Sequence, residues 1–205
     1  MNIYLELILS IVIGYLLGSI PFALVIGKVF YKTDVRNFGS GNLGGTNTGR
    51  VLGKKAGASV MCLDILKVVF AIFITSHFTN SEITTVWTGF AAAIGHCYPI
   101  FAGFKGGKAV ATLGGYVVGI SIFSFGSAWY VIFPLSLFLI CLKITKWVSL
   151  SSMVAAVSSA IQICVMVDSM STKIASILFA ILVIYRHRAN IERIMNNTEN
   201  KITWM

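Results

Sequence analysis

Phe38-Gly39-Ser40-Gly41-Asn42-Leu43-Gly44-Gly45-Thr46-Asn47-Thr48-Gly49-Arg50 interrupts a chain that is otherwise mostly apolar. The run holds five glycines, two asparagines, two threonines, a serine and an arginine. It cannot face lipid, because its backbone groups would leave water without gaining partners. Glycine lets a backbone approach a ligand closely and aim N–H groups at it. Ser, Thr and Asn add short donors, and Arg adds a fixed positive fork. This chemistry suits capture of a phosphate at a membrane surface.

The rest of the composition supports that setting. Of 205 residues, 57% are hydrophobic and 11% are charged, against roughly 25% charged in a soluble domain. Mean hydropathy is +0.85. These values describe an all-α integral membrane protein, expected as a single domain over 1–205. Cys62, Cys97, Cys141 and Cys164 are far apart in apolar surroundings and read as small buried hydrophobes. His77, His96 and His187 lack ligand spacing, so no metal or cofactor is expected. Nothing in the pattern suggests nucleic-acid binding. The N-terminus is apolar from Ile3, without a basic leader, and reads as a retained first span.

Apolar segments run over 3–27, 56–78, 83–104, 109–126, 128–142, 147–167 and 173–185. A crossing needs about 20 residues, so the first three and the sixth qualify and the others are short. Lys and Arg collect in cytoplasmic loops. Here Lys28, Lys32, Arg36, Arg50, Lys54 and Lys55 fall in the first loop region, Lys105 and Lys108 in the third, and Lys143 and Lys146 in the fifth. Arg186, Arg188, Arg193 and Lys201 follow the last span. Seven crossings, with the N-terminus outside and the C-terminus cytoplasmic, put all these groups on one side. Five crossings with two re-entrant segments is the structural rival.

Three further polar blocks accompany the first. Gly95-His96-Cys97-Tyr98-Pro99-Ile100-Phe101-Ala102-Gly103-Phe104-Lys105-Gly106-Gly107-Lys108 leads into an apolar helix, whose open N–H groups and lysine form an anion site. It lacks the spacing of a Walker motif. Lys146-Trp147-Val148-Ser149-Leu150-Ser151-Ser152-Met153 begins a span, its serines able to cap the helix or to donate to a ligand. Tyr185-Arg186-His187-Arg188-Ala189-Asn190-Ile191-Glu192-Arg193 ends the last span. His187 and Asn190 share a face if the helix continues, and the arginines read as headgroup contacts that stop the span. Asp64 and Lys67, inside the second span, read as a structural pair or as helix-end anchors rather than as catalytic groups.

In order and spacing, the four blocks resemble those of the bacterial acyl-phosphate:glycerol-3-phosphate acyltransferases, the PlsY family, over nearly the whole chain. The resemblance implies a seven-helix enzyme of the bacterial inner membrane, its active site facing the cytoplasm. Such an enzyme moves a fatty acyl group from acyl phosphate to the 1-hydroxyl of glycerol 3-phosphate. Lysophosphatidic acid and phosphate are the products, in the first step of phospholipid synthesis. It implies no cofactor, contact with membrane lipid, and a functional link to the enzyme that makes acyl phosphate.

Carried onto this chain, the family's essential serine and arginine fall on Ser40 and Arg50, and its catalytic lysine, histidine and asparagine on Lys108, His187 and Asn190. Substrate- and phosphate-binding positions fall on Gly41, Asn42, Thr46, Asn47, Gly106, Gly107 and Ser149, and a structural glutamate on Glu199. Gly45 stands where the family commonly has Ala, and Asn197 where Gly is common. The acid/base motif of another membrane acyltransferase family is missing, since Phe101 stands where its Asp would follow His96. Direct attack without an acyl-enzyme is therefore expected, with a donor phosphate oxygen or His187 as base. The rival class is a transporter of a phosphorylated metabolite, which broken helices also suit.

Overall fold

The computed structural model describes residues 2–79 and 81–202. The domain expected over 1–205 also includes residues 1, 80 and 203–205, which lie outside these. Regular structure among the described residues is helical throughout. The α-helices are α1 Ile3–Gly18, α2 Phe22–Tyr31, α3 Gly45–Leu52, α4 Lys54–Ser76, α5 Glu82–Cys97, α6 Val110–Ile120, α7 Trp129–Thr145, α8 Val148–Met166, α9 Met170–Arg186 and α10 Arg188–Met195.

Packing follows side-chain size. Within lipid, helices associate where small residues let backbones approach. On α1, a Cβ at Gly18 would lie 2.1 Å from the Ala92 carbonyl oxygen of α5, and one at Gly14 2.4 Å from that of Thr88. The two helices therefore touch backbone to backbone. Further along, α4 packs on α6, α7 on α8, and α8 on α9. Tyr116 and Phe179 pack within the larger core, their rings tilted by 34° with centroids 4.9 Å apart. The outward faces are apolar instead: Leu66, Phe70 and Phe73 on α4 are exposed, while Asp64, Lys67 and Val68 of the same helix are buried. Large apolar residues outside and polar ones inside is the arrangement lipid requires.

Among the described residues, three stretches are long and apolar enough to cross a bilayer: Ile3–Tyr31, Lys54–Ser76 and Val148–Met166. The first breaks at 19–21, where Pro21 removes a backbone donor. Met170–Arg186 qualifies only together with Arg188–Met195, across a 57° bend. The full crossing expected over 83–104 is shorter: α5 ends at Cys97 because Tyr98 precedes Pro99, which disfavours the helical region. The remainder is a short 3₁₀ turn, Ile100–Ala102, followed by loop. Of the four cysteines, all free, only Cys97 is buried and Cys62 is exposed, because its position on α4 faces outward.

Candidate functional site

The first polar block closes on itself. Gly39 and Gly41 take left-handed φ of 60° and 68°, which turns the chain back before α3. Asn47, in the first turn of α3, then reaches into the loop. Its Oδ1 accepts from the Ser40 amide at 2.8 Å and the Ser40 hydroxyl at 3.2 Å. Its Nδ2 donates to the Val35 and Phe38 carbonyls at 3.0 and 3.3 Å. Asn42 Nδ2 donates to Ser40 Oγ at 3.2 Å. The Ser40 hydroxyl is thus oriented by two amides, and Asn47 orders the loop. Nearby, Arg36 forms a fork on Asp34, its Nη2 2.6 Å from Oδ2, and holds that carboxyl well below the ordinary carboxylate range.

The second block is fixed from two sides. The Gly107 amide donates to the His96 carbonyl at 3.0 Å. Arg186 donates through Nε to the Gly107 carbonyl at 3.0 Å and through Nη2 to that of Gly106 at 3.2 Å. Its guanidinium also lies over the Tyr98 ring, 5.1 Å from the centroid. Arg186 therefore secures the loop, a role its reading as a span-stopping headgroup contact missed. Lys108 extends from this loop to donate to Asn190 Oδ1.

The helix does not continue through the fourth block. His187 stands at the bend between α9 and α10, and its Nδ1 lies 2.8 Å from the Val183 carbonyl. Since a carbonyl only accepts, Nδ1 carries the proton and Nε2 keeps a lone pair. Beyond α10 the chain folds back. Glu199 Oε1 accepts from Ser149 Oγ and Asn190 Nδ2, both at 2.7 Å, and Oε2 from Arg193 Nε at 2.7 Å. Asn197 before it takes φ 56°, which asparagine tolerates where glycine is usual. Burial works to raise the Glu199 carboxyl, but donation from Asn190, Ser149 and Arg193 outweighs it and holds the group below its ordinary range.

These segments surround one open pocket with about 840 Å³ of empty space. Ser40, Asn42, Thr46, Asn47, Arg50, Gly107, Lys108, Ser149, His187 and Asn190 all line it. Gly41 and Gly106 do not: one forms the turn beneath Ser40, and the other packs against the His96 carbonyl. Arg193, Asp64 and His96 also line the pocket and were not anticipated there. Burial, reinforced by Arg193 and by Arg50 and Arg186 and opposed by Glu199, pushes Lys108 down to about 8. Among the described residues, no three His, Cys, Asp or Glu side chains are placed to hold a metal ion.

Fold and pocket define an all-helical integral membrane protein with a cationic, amide- and hydroxyl-lined cavity built from loops and helix ends. A family model described as glycerol-3-phosphate acyltransferase matches residues 8–197. The glycerol-3-phosphate acyltransferase of Bacillus cereus (strain G9842) is 51% identical over 193 residues, 94% of this chain and 93% of that protein. The crystal structure of PlsY (YgiH), an integral membrane glycerol 3-phosphate acyltransferase, in its glycerol 3-phosphate form superimposes with a TM-score of 0.87 at 37% identity, over 96% of each chain. The lysophosphatidic acid form gives 0.84 at 36% identity, over 96% of this chain and 95% of that one. The chain belongs to the glycerol-3-phosphate acyltransferase family. It is an acyltransferase of a bacterial membrane.

Proposed function

We propose that the chain transfers a fatty acyl group from acyl phosphate to the sn-1 hydroxyl of glycerol 3-phosphate, releasing lysophosphatidic acid and phosphate. The observation that carries this is the convergence of Arg50 and Lys108, from separate polar blocks, on one pocket. Both substrates are anionic, and in a partly dry site their repulsion opposes encounter by several kcal/mol. Arg50 and Lys108 offset it, and Gly107, its amide held by the His96 carbonyl, places Lys108. Gly106 shapes their loop, and Gly41 shapes the turn that presents Ser40. Asn42 and Thr46 donate to the substrates, Asn47 orders the loop that presents Ser40, Ser149 holds Glu199 at the pocket wall, and Asn190 aims the Lys108 ammonium.

The hydroxyl attacks the acyl carbon directly. Acyl phosphate is a mixed anhydride whose phosphate leaves with little acid help, so positioning and charge stabilisation suffice. The Ser40 hydroxyl meets Asn47 and Asn42 rather than a base, which favours an orienting serine over a nucleophile. The base is a donor phosphate oxygen or His187 Nε2.

The whole chain, 1–205, acts as one domain crossing the bacterial cytoplasmic membrane seven times, with short helices completing the crossings. The N-terminus is outside, and the C-terminus and pocket face the cytoplasm. Its partners are the two substrates, membrane lipid and the enzyme that supplies acyl phosphate. The decisive experiment is an assay of purified protein in detergent with glycerol 3-phosphate and palmitoyl phosphate, following phosphate release. Turnover without sealed compartments separates an enzyme from a transporter. No release would refute the donor assignment, and a trapped acyl-Ser40 adduct would refute direct attack.

A further inference from the structure

Behind the pocket lies a charged cluster to which the reaction as proposed gives no task. Lys67 Nζ is 2.7 Å from Asp64 Oδ1, one turn apart on α4, and both side chains are buried. His96, near the end of α5, brings Nδ1 to 3.1 Å from Lys67 Nζ and 3.5 Å from Asp64 Oδ1. Lys67 also donates to the Ile20 carbonyl at 2.9 Å, in the break between α1 and α2. Ionisable groups so deep are costly and mark function or tight pairing. Since apolar replacements of a buried pair are often neutral for stability, stability alone does not explain them.

The cluster leads to the Lys108 loop. An ammonium has donors only, so His96 Nδ1 accepts from Lys67 and the ring proton sits on Nε2. That edge of the ring abuts Gly107, where a Cβ would lie 2.1 Å from Nε2. The His96 carbonyl accepts the Gly107 amide at 3.0 Å, and a Cβ at Gly106 would lie 2.1 Å from the same oxygen. One histidine thus carries the loop on both its ring and its backbone.

We propose that Asp64, Lys67 and His96 are positioning residues: the ion pair fixes the orientation and tautomer of the His96 ring, and His96 sets the place of Gly107 and Lys108. Asp64 and His96 reach the pocket wall, but their effect on the reaction passes through Lys108. The proposal rests on the reading of Lys108 as a phosphate ligand.

The test is steady-state kinetics of the purified full chain with glycerol 3-phosphate and palmitoyl phosphate, alongside thermal unfolding. His96→Leu keeps volume but loses the acceptor. It lowers kcat/KM for glycerol 3-phosphate by about 10- to 100-fold, chiefly through KM. His96→Asn places Oδ1 where Nδ1 stood and recovers about tenfold of that loss. The double replacement Asp64→Leu/Lys67→Met unfolds near the wild-type temperature yet loses activity as His96→Leu does. Equal activity of His96→Leu and His96→Asn, or wild-type kcat and KM in the double variant, overturns the proposal. Lys108→Ala separates the two readings. If it turns over normally, the phosphate reading of Lys108 is wrong. If it is inactive while the cluster variants are unimpaired, only the positioning proposal fails.

Discussion

The Lys108 ammonium donates to the side-chain carbonyl of Asn190, a residue 82 positions further along the chain. That bond aims a cation from the loop before α6 across the pocket toward the bend after α9. The same Asn190 donates to Glu199, so one amide relays orientation from the chain's C-terminal segment to the lysine.

Arg50→Ala and Lys108→Ala should each reduce kcat/KM by about 100- to 1,000-fold, the loss typical when a donor to developing charge is removed. Both variants should still insert and purify. Phosphate release from palmitoyl phosphate checks this, and near-normal turnover in both would falsify the phosphate-binding assignment.

Phosphate recognition should weaken with rising pH. Lys108 titrates at about 8, so its charge is complete well below that pH and lost above it. KM for glycerol 3-phosphate should rise from about pH 8 upward. Lys108→Arg, whose guanidinium keeps its proton, should flatten the rise whatever its absolute activity. Linkage runs the opposite way for stability. Between about 8 and the ordinary lysine value of 10.5 the folded chain binds fewer protons than the unfolded one, so this group makes stability increase with pH there. A pH series of KM and of melting temperature measures both.

Glu199→Ala removes the acceptor shared by Ser149, Asn190 and Arg193. It should cost about 1–3 kcal/mol of stability, the penalty for leaving polar partners unsatisfied, and lower kcat through a misaligned Asn190. Because the folded carboxyl is held below its ordinary 4.5, the stabilisation is present above that pH and fades as pH falls through the lower folded value. Thermal unfolding of both proteins at neutral and acidic pH reads the difference.

Gly18→Ala places a methyl 2.1 Å from the Ala92 carbonyl oxygen. Neither backbone can yield cheaply, so α1 and α5 must separate. The expected cost is about 1–3 kcal/mol, read as a lower melting temperature in detergent. The contact lies outside the pocket lining, so activity per folded molecule should change far less than in Arg50→Ala.

Seven crossings predict sidedness. In a background with Cys62, Cys97, Cys141 and Cys164 replaced, a cysteine at Ser169 should react with an impermeant maleimide on intact cells. Cysteines at Lys105 or Lys143 should react only after permeabilisation. Labelling of Lys105→Cys from outside would refute the seven-crossing arrangement.

The oil-rich composition, the basic loops and four polar blocks settle much of this protein before any folding is considered. A lipid solvent demands apolar helices and expels a run such as 38–50, and both constraints act on sequence directly. The blocks also announced Ser40, Arg50, Lys108, His187 and Asn190, which line one pocket. What a linear chain could not reveal is which polar groups serve ligand and which serve one another. Asn47 looked like a ligand donor, yet its amide is engaged within its own loop. Arg186 looked like the end of a span, yet it ties down Gly106 and Gly107. His96 lacked a partner at sequence spacing because its partners, Asp64 and Lys67, lie on another helix. Those assignments depend on distances across the bundle, set when glycine-lined helices close on each other, and local sequence carries no record of them.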